Sequence, residues 1–450
     1  MNLFQRFFIV VTFLVLFTFC WLLLRGDRGR DKELEYQRDS EKFVLLTDEI
    51  ERLQRLLEYE RKKLQAVESR VDEYIKDNRD ISQNSKTTNW NEPIGILVFV
   101  CNRAEALRQH IQKLLNYRKS AKLFPIYVSQ DCDDEAVAEV AKSFGEQITY
   151  IKHISGANAN IVIPPNHKQY TSYYRISRHY KLGLSHVFDN QKLGSVIITE
   201  DDLDIAPDFF DYFSATRWLL DADKSLYCVS GWNDNGKENL TDVTAKTLLY
   251  RSDFFSGLGW LMTKALWNEL GPQWPTGFWD DWIRDPARRL NRSCIRPEVP
   301  RTAMTMFGKS GASKGLFFKH LKQIKLNETP ANFSQINLSY LLKNNYDDPF
   351  MNLVYGLPKL TLDETILKTL QTTNTGESVR IEYSSMQEYT NAARKLHIMI
   401  DTKAGVGRTA YRGIVTCFIN GLRIYLAPSN PKEWKGYDVG WQPPAETSEQ

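Results

Sequence analysis

A charge imbalance is what this 450-residue sequence most clearly lacks: 58 Lys and Arg stand against 55 Asp and Glu, a net +3. No basic tract is interleaved with aromatic residues, so a nucleic-acid partner is set aside. Glycine-rich phosphate loops are missing too. No Gly-x-Gly-x-x-Gly turn follows the first β-like run, and no Walker-type loop ends in Lys-Ser or Lys-Thr. A dinucleotide-binding fold and a P-loop nucleotide hydrolase are therefore not expected. Cysteine is sparse, six in all, so each one can be weighed individually.

What is present begins with one long apolar run. Residues 7–24 carry no charge over 18 positions, about 27 Å of helix at ~1.5 Å per residue, which is enough to cross a bilayer. Phe19, Cys20 and Trp21 offer no small-x-small cleavage site, so an uncleaved signal-anchor behind a short cytoplasmic tail, 1–6, is expected. Arg6 before the run and Arg25, Arg28 and Arg30 after it leave the orientation open under the positive-inside rule. A stem, 25–92, follows. Phe43, Leu46, Ile50, Leu53, Leu57, Leu64, Val67, Val71 and Tyr74 keep a 3-4 spacing interrupted by Glu60, which predicts a coiled coil over 43–74 and possible self-association; a solitary charged helix is the alternative. Residues 78–91 read as a polar linker.

From residue 93 the chain alternates strand and helix patterns. Apolar runs at 94–101, 124–129, 148–153, 195–199 and 225–230 predict strands; 107–115, 135–144, 171–188 and 207–222 predict helices. That order implies an α/β, mostly parallel sheet covered on both faces. Beyond about residue 344 the pattern shifts to shorter strands at 379–383, 396–400, 413–419 and 422–427, the last two joined by Asn420-Gly421, a strong hairpin signal. The expected organisation is a nucleotide-sugar-binding domain, 93–308, a linker and active-site loop, 309–343, and a smaller β-rich domain, 344–450.

Cys101 and Cys132 fall at the carboxyl ends of the first two expected strands, so a bridge between them is geometrically reasonable; Cys228 and Cys294 are the next pair, leaving Cys417 alone. Buried free thiols remain the alternative, because spacing does not fix connectivity. Asn239, Asn291, Asn327, Asn332 and Asn337 open Asn-x-Ser/Thr triplets, three of them clustered. Together these features place the chain on the luminal side of a secretory membrane.

The stretch that organises the rest is 195–202, where β-favouring residues run into Glu200, Asp201 and Asp202. Ligands of open α/β sheets bind beyond the carboxyl ends of the strands, and carboxylates suit a hard cation such as Mg2+ or Mn2+ that can neutralise a diphosphate. The plainer alternative is that Asp201, Asp202 or Asp204 caps a helix signalled by Pro207 and Asp208. A second acidic pair, Asp280 and Asp281, sits in Phe278-Trp-Asp-Asp-Trp282. Transfer of a sugar with inversion needs one carboxylate to take the proton from the attacking hydroxyl and positive charge on the departing diphosphate. The two acidic groups together meet these needs. Asp281 could instead pair with Arg284, and Trp279 and Trp282 could be core rather than a sugar platform.

In order, Cys101-Asn-Arg103, Ser129-Gln-Asp131, Glu200-Asp-Asp202, Phe278-Trp-Asp-Asp-Trp282 and Phe307-Gly-Lys-Ser-Gly-Ala-Ser313 resemble the N-acetylglucosaminyltransferase I family over roughly residues 93–430. The resemblance implies a GT-A fold, UDP-N-acetylglucosamine as donor, Mn2+ as cofactor, the α1,3-linked mannose of a high-mannose N-glycan as acceptor, and the medial Golgi membrane as location. It further implies Asp202 as metal ligand, Asp280 as base, Arg103, Asp131, His179, Asp201 and Ser313 as contacts to the nucleotide-sugar, and pairing of Cys101 with Cys132 and of Cys228 with Cys294. The sequence departs from the family at His110, where some members carry a Cys, and at Cys417, which replaces an apolar residue. Competing readings are a transferase acting on O-linked mannose, an inactive glycan-binding Golgi protein, and a scaffold working through the stem.

Overall fold

The computed structural model describes residues 12–18, 46–47, 49–50, 53–54, 92–310, 318–371, 377–433 and 435–441. The chain divides into two compact units, Met1–Asn84 and Ser85–Gln450. In the first unit the described residues are helical. No helix among the described residues is long and apolar enough to cross a membrane; most of 7–24 and of the 43–74 stem lies outside them.

The second unit is built on an eight-stranded sheet. Strands β1 (Ile94–Val100), β2 (Ile126–Gln130), β3 (Thr149–Lys152) and β4 (Ser195–Glu200) are parallel, in the order β3-β2-β1-β4. The first run reads as continuously apolar because both faces are covered. Ile96 and Val98 pack with Leu107, Ile111 and Leu114 of helix Ala104–Tyr117. Leu97 and Phe99 pack on the other side with Tyr180 and Leu184 of helix Thr171–Ser185.

Past β4 the expected parallel order fails. Short β5 (Leu203–Ile205) leaves the main sheet, and β6 (Leu226–Ser230) and β7 (Leu249–Ser252) precede β8 (Trp260–Thr263), which runs antiparallel between β4 and β6. β9 (Ser293–Pro297) is parallel to β6 and antiparallel to β7, so the sheet is mixed. β7 lies at the sheet edge and runs in the same direction as β8, with β6 and β9 between them, and a short segment without helix, in which Gly257 and Gly259 adopt positive φ, carries the chain from one to the other. A Cβ at Gly259 would lie 2.4 Å from Thr302, so this connection also requires glycine's missing side chain. β10 (Thr302–Met304) pairs antiparallel with β5.

The remaining chain forms a three-stranded sheet from β11 (Ser378–Tyr383), β14 (Val415–Ile419) and β15 (Leu422–Pro428), plus a small hairpin of β12 (Thr402–Lys403) and β13 (Val406–Gly407). Asn420 and Gly421 turn β14 into β15 with φ of 49° and 85°, the conformation an Asn-Gly hairpin supplies. The strand expected at 396–400 does not form. Helix Met386–Lys395 ends there, His397 takes φ 58°, and Met399 N donates to Asn235 Oδ1 at 2.9 Å rather than to a neighbouring strand. Its apolar residues are buried by packing, which a β-like run does not distinguish from pairing.

Cys101 is bonded to Cys132 and Cys228 to Cys294, and Cys417 is a buried free thiol. His110 is buried, its ring nitrogens 2.7 Å from Leu203 O and 2.9 Å from Thr199 Oγ1; burial holds it neutral, pushed down to about 4. Of the five Asn-x-Ser/Thr asparagines, Asn327 is buried and its amide donates to Asp208 and to Thr329 O, so a glycan there is incompatible with this packing; the other four are exposed.

Candidate active site

The carboxyl ends of β1, β2 and β4 open into a cleft of ≈ 960 Å³ whose lining includes Arg103, Asp131, His179, Glu200, Asp201, Asp202, Asp280 and Asp281. Ser313 lies outside the described residues, and of its motif Phe307 to Ser310 are described.

Arg103 precedes the first helix without a side-chain cap, which leaves its guanidinium for the cleft. It binds Asp201 through Nε, at 3.1 Å, and Nη2; Nη1 donates to Asp202 Oδ2 at 2.8 Å and to Phe307 O at 3.1 Å. Burial opposes this charge, yet Asp202 and Asp201 hold the guanidinium more firmly protonated than an ordinary Arg. The same burial pushes Asp201 up to about 6 against the pull of Arg103, and pushes Glu200 up to about 7 with Asp202 adding repulsion. None of the three caps a helix. Helix Phe209–Thr216 begins after Asp208, whose carboxylate instead pairs with buried Arg301, and Asp204 pairs with Lys113.

At the end of β2, Asp131 accepts from Arg178 Nη1 at 2.7 Å; burial nevertheless raises its pKa. His179 is 7% exposed, 3.0 Å from Ser129 Oγ and edge-on to Phe99. Burial, with His153 beside it, keeps His179 neutral. A neutral imidazole and a paired carboxylate suit hydrogen bonding to a polar heterocycle rather than ionic attraction.

The second acidic pair opens helix Trp279–Arg284, whose first residue follows Phe278 in the left-handed region, φ 53°. Arg284 is buried, donates from Nε to Phe255 O at 2.9 Å, and uses Nη1 for both Asp280 Oδ2, 2.9 Å, and Asp281 Oδ1, 3.1 Å. Asp280 is half-buried; burial works against its charge, but Arg284 outweighs it and holds the carboxyl below its usual range. Asp281 is exposed and has a second cation, Lys403 Nζ, at 3.3 Å. Trp279 is core, stacked between Tyr180 and Trp274, while half-buried Trp282 packs on Trp274 and under Arg288.

Several contributors have no local signal in the sequence. Tyr180 donates to Glu200 Oε1 at 2.7 Å and stacks on Trp279 with ring centroids 4.2 Å apart, joining the two acidic groups through one ring. Arg178 orders Asp131 from 47 residues away. Met399, Lys403 and Arg408 reach the cleft from the C-terminal part of the chain, Arg408 being tied to Asp401 and, at 3.0 Å, to Asp234. Only the aromatic enrichment of the helix around Tyr180 hinted at any of them.

Partial structural overlaps occur with a mannosyltransferase from Pyrobaculum calidifontis solved with GDP-Man and Mn2+ (14% identity, TM-score 0.29, 47% of this chain and 59% of that one). Glucosyl-3-phosphoglycerate synthase from Mycobacterium tuberculosis, solved with Mn2+ and UDP, overlaps similarly (12% identity, TM-score 0.32, 53% of this chain and 82% of that one). In sequence, the chain is 38% identical over 370 residues to alpha-1,3-mannosyl-glycoprotein 2-beta-N-acetylglucosaminyltransferase of Arabidopsis thaliana, covering 80% of this chain and 81% of that protein. The pattern of the GNT-I family matches residues 4–441, and the chain belongs to that family.

Proposed function

We propose that this chain is an inverting GT-A-type glycosyltransferase that moves N-acetylglucosamine from UDP-N-acetylglucosamine, in β-1,2 linkage, to the α1,3-linked mannose of a high-mannose N-glycan. Family membership supports the reaction class. The observation that carries the residue roles is one cleft holding two acidic groups of opposite character: Asp201 and Asp202 bound to Arg103, and Asp280 kept ionised by Arg284.

Asp202 would hold Mn2+. Its carboxylate, a hard oxygen donor lining the cleft beside Asp201, fits a hard dication. When bound, the ion neutralises charge on the departing diphosphate. Arg103 places a second positive charge there, and Asp131, His179, Asp201 and Ser313 contact the nucleotide-sugar. Asp280 accepts the proton of the mannose 2-hydroxyl while that oxygen bonds to the anomeric carbon and the bond to the diphosphate oxygen breaks. UDP leaves as an anion without a proton, so one base is enough.

The luminal features of the chain support a single-pass type II protein of the Golgi membrane, anchored by 7–24 and self-associating through the 43–74 stem, with the 93–308 and 344–450 domains flanking the cleft. The deciding experiment incubates the full chain in detergent with labelled UDP-N-acetylglucosamine, Mn2+ and a five-mannose N-glycan. One labelled sugar added to the α1,3 arm is expected. Transfer only to O-linked mannose, or to neither acceptor, would overturn the reading.

A further inference from the structure

A second cavity, ≈ 390 Å³, lies in the C-terminal part of the chain, within the range of about 300–1,000 Å³ typical of ligand pockets. Its walls are aromatic: Tyr383, Tyr389, Tyr437 and Trp441 all line it. Two of these phenols are engaged elsewhere, Tyr383 donating to Gly413 O at 2.8 Å and Tyr437 to Asp253 Oδ2 at 2.7 Å. Tyr389 contributes its ring: it is 3% exposed, and its hydroxyl is enclosed, with no hydrogen-bond partner among the described residues. The backbone packs directly against that oxygen, since a Cβ at Gly407 would lie 2.5 Å from it.

The polar side chains lining this cavity carry no net charge: Ser384, Thr402, Ser429 and Asn430, with Asp438 and Lys435 of opposite sign. Aromatic faces with scattered hydroxyl, amide and carboxylate groups match a pyranose, which presents an apolar C–H face and a rim of hydroxyls. A phosphate or nucleotide would need concentrated positive charge, and among the described residues lining the cavity Lys435 is the one cation, offset by Asp438.

The β12–β13 hairpin separates this cavity from the cleft. Thr402 and Gly407 line the cavity, while their chain neighbours Lys403 and Arg408 line the cleft, Thr402 and Lys403 by the alternation of a strand. We propose that the second cavity binds a mannose residue of the branched acceptor outside the reacting arm, one hairpin away from the site of transfer. The pyranose chemistry stands on the cavity alone; its source in the acceptor rests on the function proposed above.

The test uses Tyr389→Leu, which replaces one aromatic wall by an aliphatic one, and Trp441→Ala, which removes another. Methyl α-mannopyranoside is the direct probe, read by thermal stabilisation and by saturation transfer from protein to sugar. The full chain is expected to bind it, and each variant to bind it about five- to tenfold more weakly, the scale of one lost aromatic contact. In transfer assays both variants should raise KM for a five-mannose acceptor by a similar factor, with kcat and the KM for a single α-mannoside acceptor unchanged. No mannoside binding, or binding that both variants retain in full, would overturn the proposed site. Weakened mannoside binding with an unchanged KM for the branched acceptor would overturn its source in the acceptor. Loss of transfer to both acceptors by the parent protein would instead count against the proposed reaction.

Discussion

Asp201 and Asp280 carry the same side chain into one cleft and are driven in opposite directions. Asp201, at the end of a buried strand, is pushed up to about 6 because desolvation outweighs a bidentate Arg103. Asp280, half-buried on a short helix, is pulled down because Arg284 outweighs desolvation. A paired arginine therefore does not set the ionisation of a carboxylate by itself; the balance of burial against charge does. In the proposed reaction the contrast separates the tasks, with the strand-end acids binding the donor end and Asp280 left as an ionised proton acceptor.

The sharpest way to break that contrast is at the donor end. Asp202→Asn, or chelation of divalent ions, should nearly abolish transfer, because the diphosphate charge is then poorly neutralised; full turnover of Asp202→Asn in chelator would refute the assignment. Next, Asp280→Asn keeps the shape but cannot take the proton. It should lower kcat by about 10²–10⁴, the usual scale of a positioned base, while donor and Mn2+ binding measured by calorimetry stay near normal. Asp281→Asn should cost less, and the reverse ranking of the two would move the base to Asp281. The smallest effect sharpens the comparison: Arg284→Lys loses the Nε bond to Phe255 O and weakens the pairing to Asp280. A base works only when ionised, so activity falls as pH drops through its pKa. Weakening the cation lets that pKa rise, and the acid limb of the kcat/KM profile should move to higher pH. An unmoved limb would mean that Asp280 is not the group titrating there.

Legibility in the sequence followed the range over which each signal acts. The strand ending in Glu200-Asp201-Asp202 and the Asn420-Gly421 turn are local patterns, and both are found where the residues indicate. The antiparallel run of β8 was not legible, because β8 is inserted between β4 and β6, strands distant from it in sequence, and its entry depends on a glycine packed against Thr302. Residues 396–400 misled for a related reason: an apolar run reports burial, and here burial comes from packing under a helix end. Within the cleft, Arg178, Tyr180 and Arg408 act on partners 20 to 174 residues away, so no motif encloses them. Arg284 was visible as a partner of Asp281, yet its stronger consequence is for Asp280, which only the shared Nη1 reveals.

Tyr180 acts as a spacer of fixed thickness. Its hydroxyl is fastened to Glu200 and its face to Trp279, the residue before Asp280. An incompressible aromatic ring thus sets how far the strand-end acids stand from Asp280. A smaller residue at Tyr180 would therefore alter the separation on which the proposed displacement depends.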